Sequence, residues 1–196
     1  MSDTDKPDKA LAENLAVALV HYPVLNKPGD EVVSSVTTLD VHDFARVCRT
    51  YGVSNLYIIT PVKAQQRLVE RLSRHWIEGF GAGYNPHRKE ALECLKVVDT
   101  IDDMIDNFKL SGDGVELITT AARKAAGTVG YQEARQRMAK MERAALLFGT
   151  GHGLAPSVME RSALRLSPVE GADEFNHLPV RCAAAIILDR LLGRWR

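Results

Sequence analysis

An apolar run from Leu146 closes in Gly149-Thr150-Gly151-His152-Gly153, and about two dozen residues later Asn176-His177-Leu178-Pro179-Val180-Arg181 opens an apolar helix. A buried strand ending in small residues, beside a helix start, offers unhindered peptide N–H and C=O groups to a small polar ligand. The same glycines, taken alone, also suit a plain strand-to-helix turn. The run lacks the third-glycine spacing of a dinucleotide fingerprint, and its nearest downstream acids, Asp173 and Glu174, fall in a loop. There is no GxxxxGK[ST] and no nucleophile elbow. The six histidines and three cysteines show no CxxC, HxxxH or HExxH spacing, so no bound metal is expected.

A second polar group gathers upstream. His21, Asp40, His42 and Asp43 lie near one expected strand-to-helix edge, where one of them could relay a proton; Asp40 equally suits a helix N-cap. Between Arg46 and Arg74 the bases Arg46, Arg49, Lys63, Arg67, Arg71 and Arg74 face only Glu70 as an acid, whereas Asp99 to Asp113 is mostly acidic. Arg67, Arg71 and Arg74 share one face at helical spacing, beside His75 and Trp76. A basic face with an aromatic can track phosphates, and a solvated face with Trp76 in the core reads the same residues equally well.

These groups need a scaffold, and the chain alternates its elements. Leu15 to Val20 is a short apolar run that suits a strand buried on both faces, with a turn over Asn26 to Asp30. Helical spacing covers Asp40 to Tyr51, then a helix through about Ile77, with a strand at Leu56 to Thr60 between them. Gly79-Phe80-Gly81-Ala82-Gly83-Tyr84 reads as a flexible loop before a short helix at His87 to Glu93. Strands follow at Leu95 to Val98, Val115 to Thr119, Ala144 to Phe148 and Ala163 to Leu166, with helices at Ile101 to Phe108, Tyr131 to Ala139, Pro156 to Arg161 and Leu178 to Leu192. Strand and helix in alternation predict an α/β fold with a mostly parallel sheet of five to six strands and helices on both faces.

With 196 residues and 45% hydrophobic content, one domain is expected, residues 15–196, behind a charged flexible tail over 1–14 with a helical turn at Ala10 to Glu13. Lys plus Arg equals Asp plus Glu at 25 each, so no global field draws the chain to a polyanion or a membrane. Cys48, Cys94 and Cys182 are odd in number and sit in apolar segments, which favours reduced thiols with a packing role in the cytoplasm. No apolar stretch approaches ~20 residues and no signal segment is visible, so no membrane span is expected.

The motifs also carry a resemblance. Leu147 to Leu154, then Leu166-Ser167-Pro168, then Asn176-His177-Leu178-Pro179-Val180-Arg181-Cys182-Ala183-Ala184-Ala185-Ile186 resemble in order and spacing the three C-terminal motifs of the SPOUT superfamily of knotted methyltransferases. Leu19 to Val24 and Asp40 to Arg46, with Arg49 and Tyr51-Gly52, are similar to a bacterial branch of S-adenosylmethionine-dependent RNA methyltransferases. The resemblance implies a C-terminal trefoil knot and a cofactor, S-adenosylmethionine (SAM), held by three loops. By position these are Thr119, Thr120 and Ala121; Phe148, Gly149, Thr150, Gly151, His152 and Gly153; and Leu166, Asn176, His177, Leu178 and Val180. It places Arg46 at a substrate- or phosphate-binding position, where the catalytic candidates are Arg46, Asp40 and His42.

The RNA-binding candidates are Arg46, Arg49, Asn26, Arg67, Arg71 and Arg74. His152 departs from the Trp or acid common in related sequences. A homodimer built on the last and first helices is implied, with RNA (tRNA or rRNA) as acceptor. The rival readings are a catalytically silent SAM-binding adaptor that engages RNA or a protein, and a nicotinamide-dependent dehydrogenase.

Overall fold

The computed structural model describes residues 9–109, 114–122, 127–173 and 175–193. Residues 1–8 of the expected tail, Asp113 and Glu174 lie outside them. In chain order the elements are α1 (Lys9–Glu13), β1 (Leu15–Val20), β2 (Val24–Leu25), β3 (Glu31–Val32), α2 (Thr38–Thr50), β4 (Asn55–Ile59), α3 (Lys63–Ile77), α4 (Phe80–Tyr84) and α5 (Pro86–Leu92). Then follow β5 (Leu95–Val98), α6 (Ile101–Phe108), β6 (Glu116–Thr119), β7 (Thr128–Val129), α7 (Tyr131–Met138), β8 (Ala144–Gly149), α8 (Pro156–Glu160), β9 (Leu164–Leu166) and α9 (Val180–Leu192).

The main sheet runs β5-β4-β1-β8-β6-β9-β7 with every pairing parallel. It has seven strands rather than the five to six expected. The extra strand is β7, whose two residues pair Thr128 with Arg165 and Val129 with Leu166, too few to show a periodicity in sequence. β2 and β3 form a separate antiparallel hairpin around the turn at Asn26 to Asp30.

The continuous apolar run of β1 is explained by burial on both faces. Leu15, Val17 and Leu19 join a core with Phe44 of α2, Val69 of α3 and Leu188 of α9, whereas Ala16, Ala18 and Val20 join a second core with Met104 and Phe108 of α6 and Val158 of α8. All six β1 residues are fully buried, so no alternation survives in the sequence. Leu11 and Ala12 of α1 are also buried, and Ala12 packs against the turn at Gly52.

Three boundaries differ from expectation for local reasons. Thr37, not Asp40, caps α2: its Oγ1 accepts from Asp40 N at 3.1 Å, which puts Asp40 at the third helical position. The segment Phe80–Tyr84 is a short helix rather than a loop, because Gly81 lets it seat on α3. α9 starts at Val180 behind Pro179, and Asn176 does not cap it. Cys48 and Cys94 are buried as expected, but Cys182 is exposed on α9.

Phe44 and Phe148 meet edge to face at 5.5 Å under the end of β8, both essentially fully buried. Phe44→Ala is therefore expected to destabilise the fold by about 3–5 kcal/mol, read as a lowered urea midpoint with an unchanged denaturant slope.

Candidate functional site at the carboxyl edge of the sheet

In a parallel sheet every strand delivers its following loop to the same edge, and ligands settle where the order of connection changes direction. Here β1 is followed outward by β4 and β5, while β8 is inserted later between β1 and β6. β8, β6 and β9 are neighbours, so the segments after Phe148, Thr119 and Leu166 emerge side by side. Asn176 Nδ2 donates to Ala122 O at 2.8 Å, joining the segment after β9 to the one after β6. The three stretches expected to share a ligand are thus brought together.

The loop after β8 is clamped by the β2–β3 hairpin. Leu25 N donates to Gly153 O and His152 N donates to Leu25 O, each at 2.9 Å, and Val24 bridges Leu154. Gly151 has φ +59°, and a Cβ there would stand 2.8 Å from Leu25 O. Glycine is therefore required for conformation and for space. The side chains of Thr119, Phe148 and Leu166 are buried in the fold, so these residues can offer a ligand only their peptide groups. Leu178 is exposed, as is Phe175, whose ring lies 5.2 Å from that of His177.

A directional hydrogen-bond chain crosses from this loop to β1. Thr150 Oγ1 donates to Val20 O at 3.0 Å, so the hydroxyl of Ser34, which contacts Thr150 Oγ1, must donate to it. Ser34 Oγ then accepts from His21 Nδ1 at 2.9 Å. This fixes the His21 tautomer and leaves Nε2 as a buried lone pair with no partner among the described residues. Burial holds the His21 pKa down at about 4, with Asp40 opposing. Gln65 extends the network by donating to Ser34 O at 3.2 Å and accepting from Val36 N, which ties α3 to the same edge.

Asp40 is held between α2 and α9. Its carboxylate accepts from Thr37 Oγ1 at 2.6 Å and from Arg181 at 3.4 Å, while Arg181 also reaches Asp43 at 3.3 Å. The first turn of α2 is thereby locked to the residue following Val180. Arg46 is exposed on α2 about 9 Å along the axis from Asp40. His42, one turn before it, stands edge-on to Trp76 at 5.7 Å with Nδ1 buried and unpartnered among the described residues. Burial lowers its pKa, helped by Arg88 and Arg46 and opposed by Asp43.

The other RNA candidates divide. Arg49 is ion-paired with Glu90, and Asn26 orders its own turn by accepting from Gly29 N and Asp30 N at 2.9 and 2.8 Å. Arg67, Arg71 and Arg74 stand exposed along α3 and line one groove. Trp76 is packed against the core, with the Arg88 guanidinium 4.3 Å from its ring centre, so it is not the aromatic of that face. Sequence reading missed the Ser34–Thr150 link because its partners are 116 residues apart. Among the described residues no group of His, Cys, Asp and Glu could hold a metal ion.

Residues 14–193 match the model of a family described as SAM-dependent RNA methyltransferase. The chain is 44% identical over 193 residues to a tRNA (guanine-N(1)-)-methyltransferase of Oleidesulfovibrio alaskensis, covering 98% of this chain and 44% of that protein. It thus spans less than half the length of that relative. It is 40% identical over 186 residues to a protein of Aquifex aeolicus, covering 94% of this chain and 91% of that one. Among solved structures, the Aquifex aeolicus TrmH/SpoU tRNA modifying enzyme superposes with a TM-score of 0.56 at 17% identity, covering 93% of this chain and 77% of that one. That likeness concerns the fold.

The buried neutral His21 makes stability depend on pH. Its folded pKa lies below the unfolded value of 6.5, so the unfolded chain binds more protons between pH 6.5 and 4 and the fold weakens as pH falls through that window. The loss from pH 7 to 5 is expected to be about 2 kcal/mol in urea unfolding, and His21→Gln removes it.

Proposed function

The chain belongs to the SAM-dependent RNA methyltransferase family, and from that premise we propose that it transfers a methyl group from SAM to RNA. The observation that carries this reading is the convergence of three loops at the ends of β8, β6 and β9, closed by the Asn176–Ala122 hydrogen bond. Those loops fit a sulfonium nucleoside: small residues permit close approach, peptide groups face one edge, and Leu178 offers an apolar wall. Thr119, Thr120 and Ala121, Phe148 to Gly153, and Leu166, Asn176, His177, Leu178 and Val180 are read as the residues that would hold it. When bound, SAM supplies an electrophilic methyl group.

The chain's own work is positioning. The hairpin clamp on Gly151 and the His21–Ser34–Thr150 chain hold the loop after β8 in one conformation before any ligand arrives, which reduces the ordering cost of binding. Arg46 is an exposed cation on α2, less than two turns beyond the Asp40 that Arg181 locks to α9, and it is read as the residue that draws an RNA phosphate to the edge. Asp40 serves this arrangement by orienting Arg181.

The name of the Oleidesulfovibrio relative favours tRNA as the acceptor. The order β8-β6-β9 and the pinned Asn176 support a threaded C-terminus, in which the chain around Gly149 to Leu178 is threaded so that α9 passes through a loop. The family match supports one methyltransferase domain over residues 15–196. We read the protein as cytoplasmic, which the tRNA-directed name of the Oleidesulfovibrio relative favours; no helix among the described residues is long and apolar enough to cross a membrane. Exposed Phe175 and Leu178, leading into a half-exposed apolar strip on α9, support a homodimer through that helix.

Labelled methyl transfer from SAM into total RNA of a deletion strain tests the reading. Incorporation is expected, and Arg46→Ala should lower it about ten- to a hundredfold, the worth of one charged hydrogen bond to a phosphate, with SAM affinity unchanged. Tight SAM binding without incorporation would overturn the enzyme in favour of a silent adaptor.

A further inference from the structure

The glycine segment after α3 has no role in the site above, and its geometry is specific. Gly81 is buried against α3: a Cβ there would lie 2.5 Å from Trp76 Cε3 and 3.0 Å from His75 O. Contact this close fixes α4 on the ring of Trp76, which Arg88 covers on one face. With Gly81 pressed inward, α4 turns Phe80 and Tyr84 out. They are 82% and 76% exposed, the two most exposed large apolar side chains among the described residues. One helical turn apart, their rings stack with centres 6.1 Å apart and planes 23° from parallel.

The surface that continues from them is basic. A groove of about 850 Å³ runs along α3 to Gly79, where α4 begins, with Arg67, Arg71 and Arg74 on its wall, Leu68 in it, and Glu70 and Glu78 as its acids. None of the three arginines is ion-paired among the described residues, although Glu70 is a helical neighbour of Arg67 and Arg74. Elsewhere Lys63, Lys109, Arg137 and Arg161 all sit against carboxylates. Paired, flat, solvated aromatic faces beside unneutralised guanidinium groups match splayed bases on a phosphate backbone. A duplex hides its base faces and cannot use such a pair.

We propose that Phe80 and Tyr84, with Arg67, Arg71 and Arg74, form a stacking platform for a single-stranded RNA segment, separate from the methyl-transfer edge. The proposal rests on the reading of RNA as the acceptor. α4 is the stacking element, set in place by Gly81 and Trp76, and α3 supplies the phosphate contacts.

The test uses fluorescence anisotropy with a labelled single-stranded RNA of about twelve nucleotides and a duplex of the same length. The wild-type chain is expected to prefer the single strand. Phe80→Ala with Tyr84→Ala should weaken that binding about tenfold or more, leaving SAM affinity and the circular dichroism spectrum unchanged. Arg71→Gln should lower the dependence of log affinity on log salt by about one phosphate contact. Equal affinity of the double variant and the wild type, or no preference over duplex, overturns the platform. So does a drop in solution mass in the double variant, which would make the pair a contact between copies. Methyl incorporation by a wild type that ignores the oligonucleotide sinks the platform alone. Aromatic-dependent binding without incorporation sinks the methyl-transfer reading alone.

Discussion

The carbonyl oxygen of Leu25 stands 2.8 Å from where the Cβ of any side chain at residue 151 would lie, too close for one to fit. Around that exclusion the hairpin and the loop after β8 exchange two backbone hydrogen bonds, and Thr150 in the same loop reaches back to Val20 and to Ser34. The loop is therefore shaped from both sides by peptide groups that do not depend on a ligand. A binding edge built this way loses little entropy when it is filled, because the conformational cost was met in folding.

The rest of the fold serves to bring that loop to its neighbours. Burial of both faces of β1 and β8 makes the centre of the sheet rigid, and parallel register sends the loops after β8, β6 and β9 to one edge. Two polar ties then fix what apolar packing leaves free. Arg181 bridges Asp40 and Asp43, fastening α9 to α2, and His21 fastens the hairpin to the sheet through Ser34. Arg181 and Asp40 are 141 residues apart, and Ser34 reaches on to Thr150 116 residues away, so the edge forms only when the whole domain does. The platform on α3 and α4 lies on the face of the sheet that α2 and α9 also cover, and there contact between Gly81 and Trp76 replaces hydrogen bonding as the positioning device.

Much of this was legible in the residues. Leu15–Val20 and Leu95–Val98 appear as strands over the expected spans, and Ile101–Phe108 as the expected helix, because short apolar β-branched stretches or a capping box mark them locally. The three expected cofactor loops pointed to one cavity-forming edge, and the sheet order puts β8, β6 and β9 side by side. What stayed hidden was non-local. β7 exists only through pairing with Arg165 and Leu166, and Asp40 looked like a cap because Thr37 and Arg181 cannot be weighed without the fold. Gly79 to Tyr84 read as a loop because glycine lowers helix propensity, whereas contact with Trp76 stabilises a turn of helix there. Of the two readings open for Trp76, the packed one holds, and Phe80 and Tyr84 are the exposed rings next to the basic face.

The central claim is that three strand ends make one preformed cradle for a sulfonium nucleoside. Titration calorimetry of the purified protein with SAM tests it most directly. The account predicts saturable heat with one equivalent per chain; a flat titration at protein concentrations where the fold is intact would contradict it.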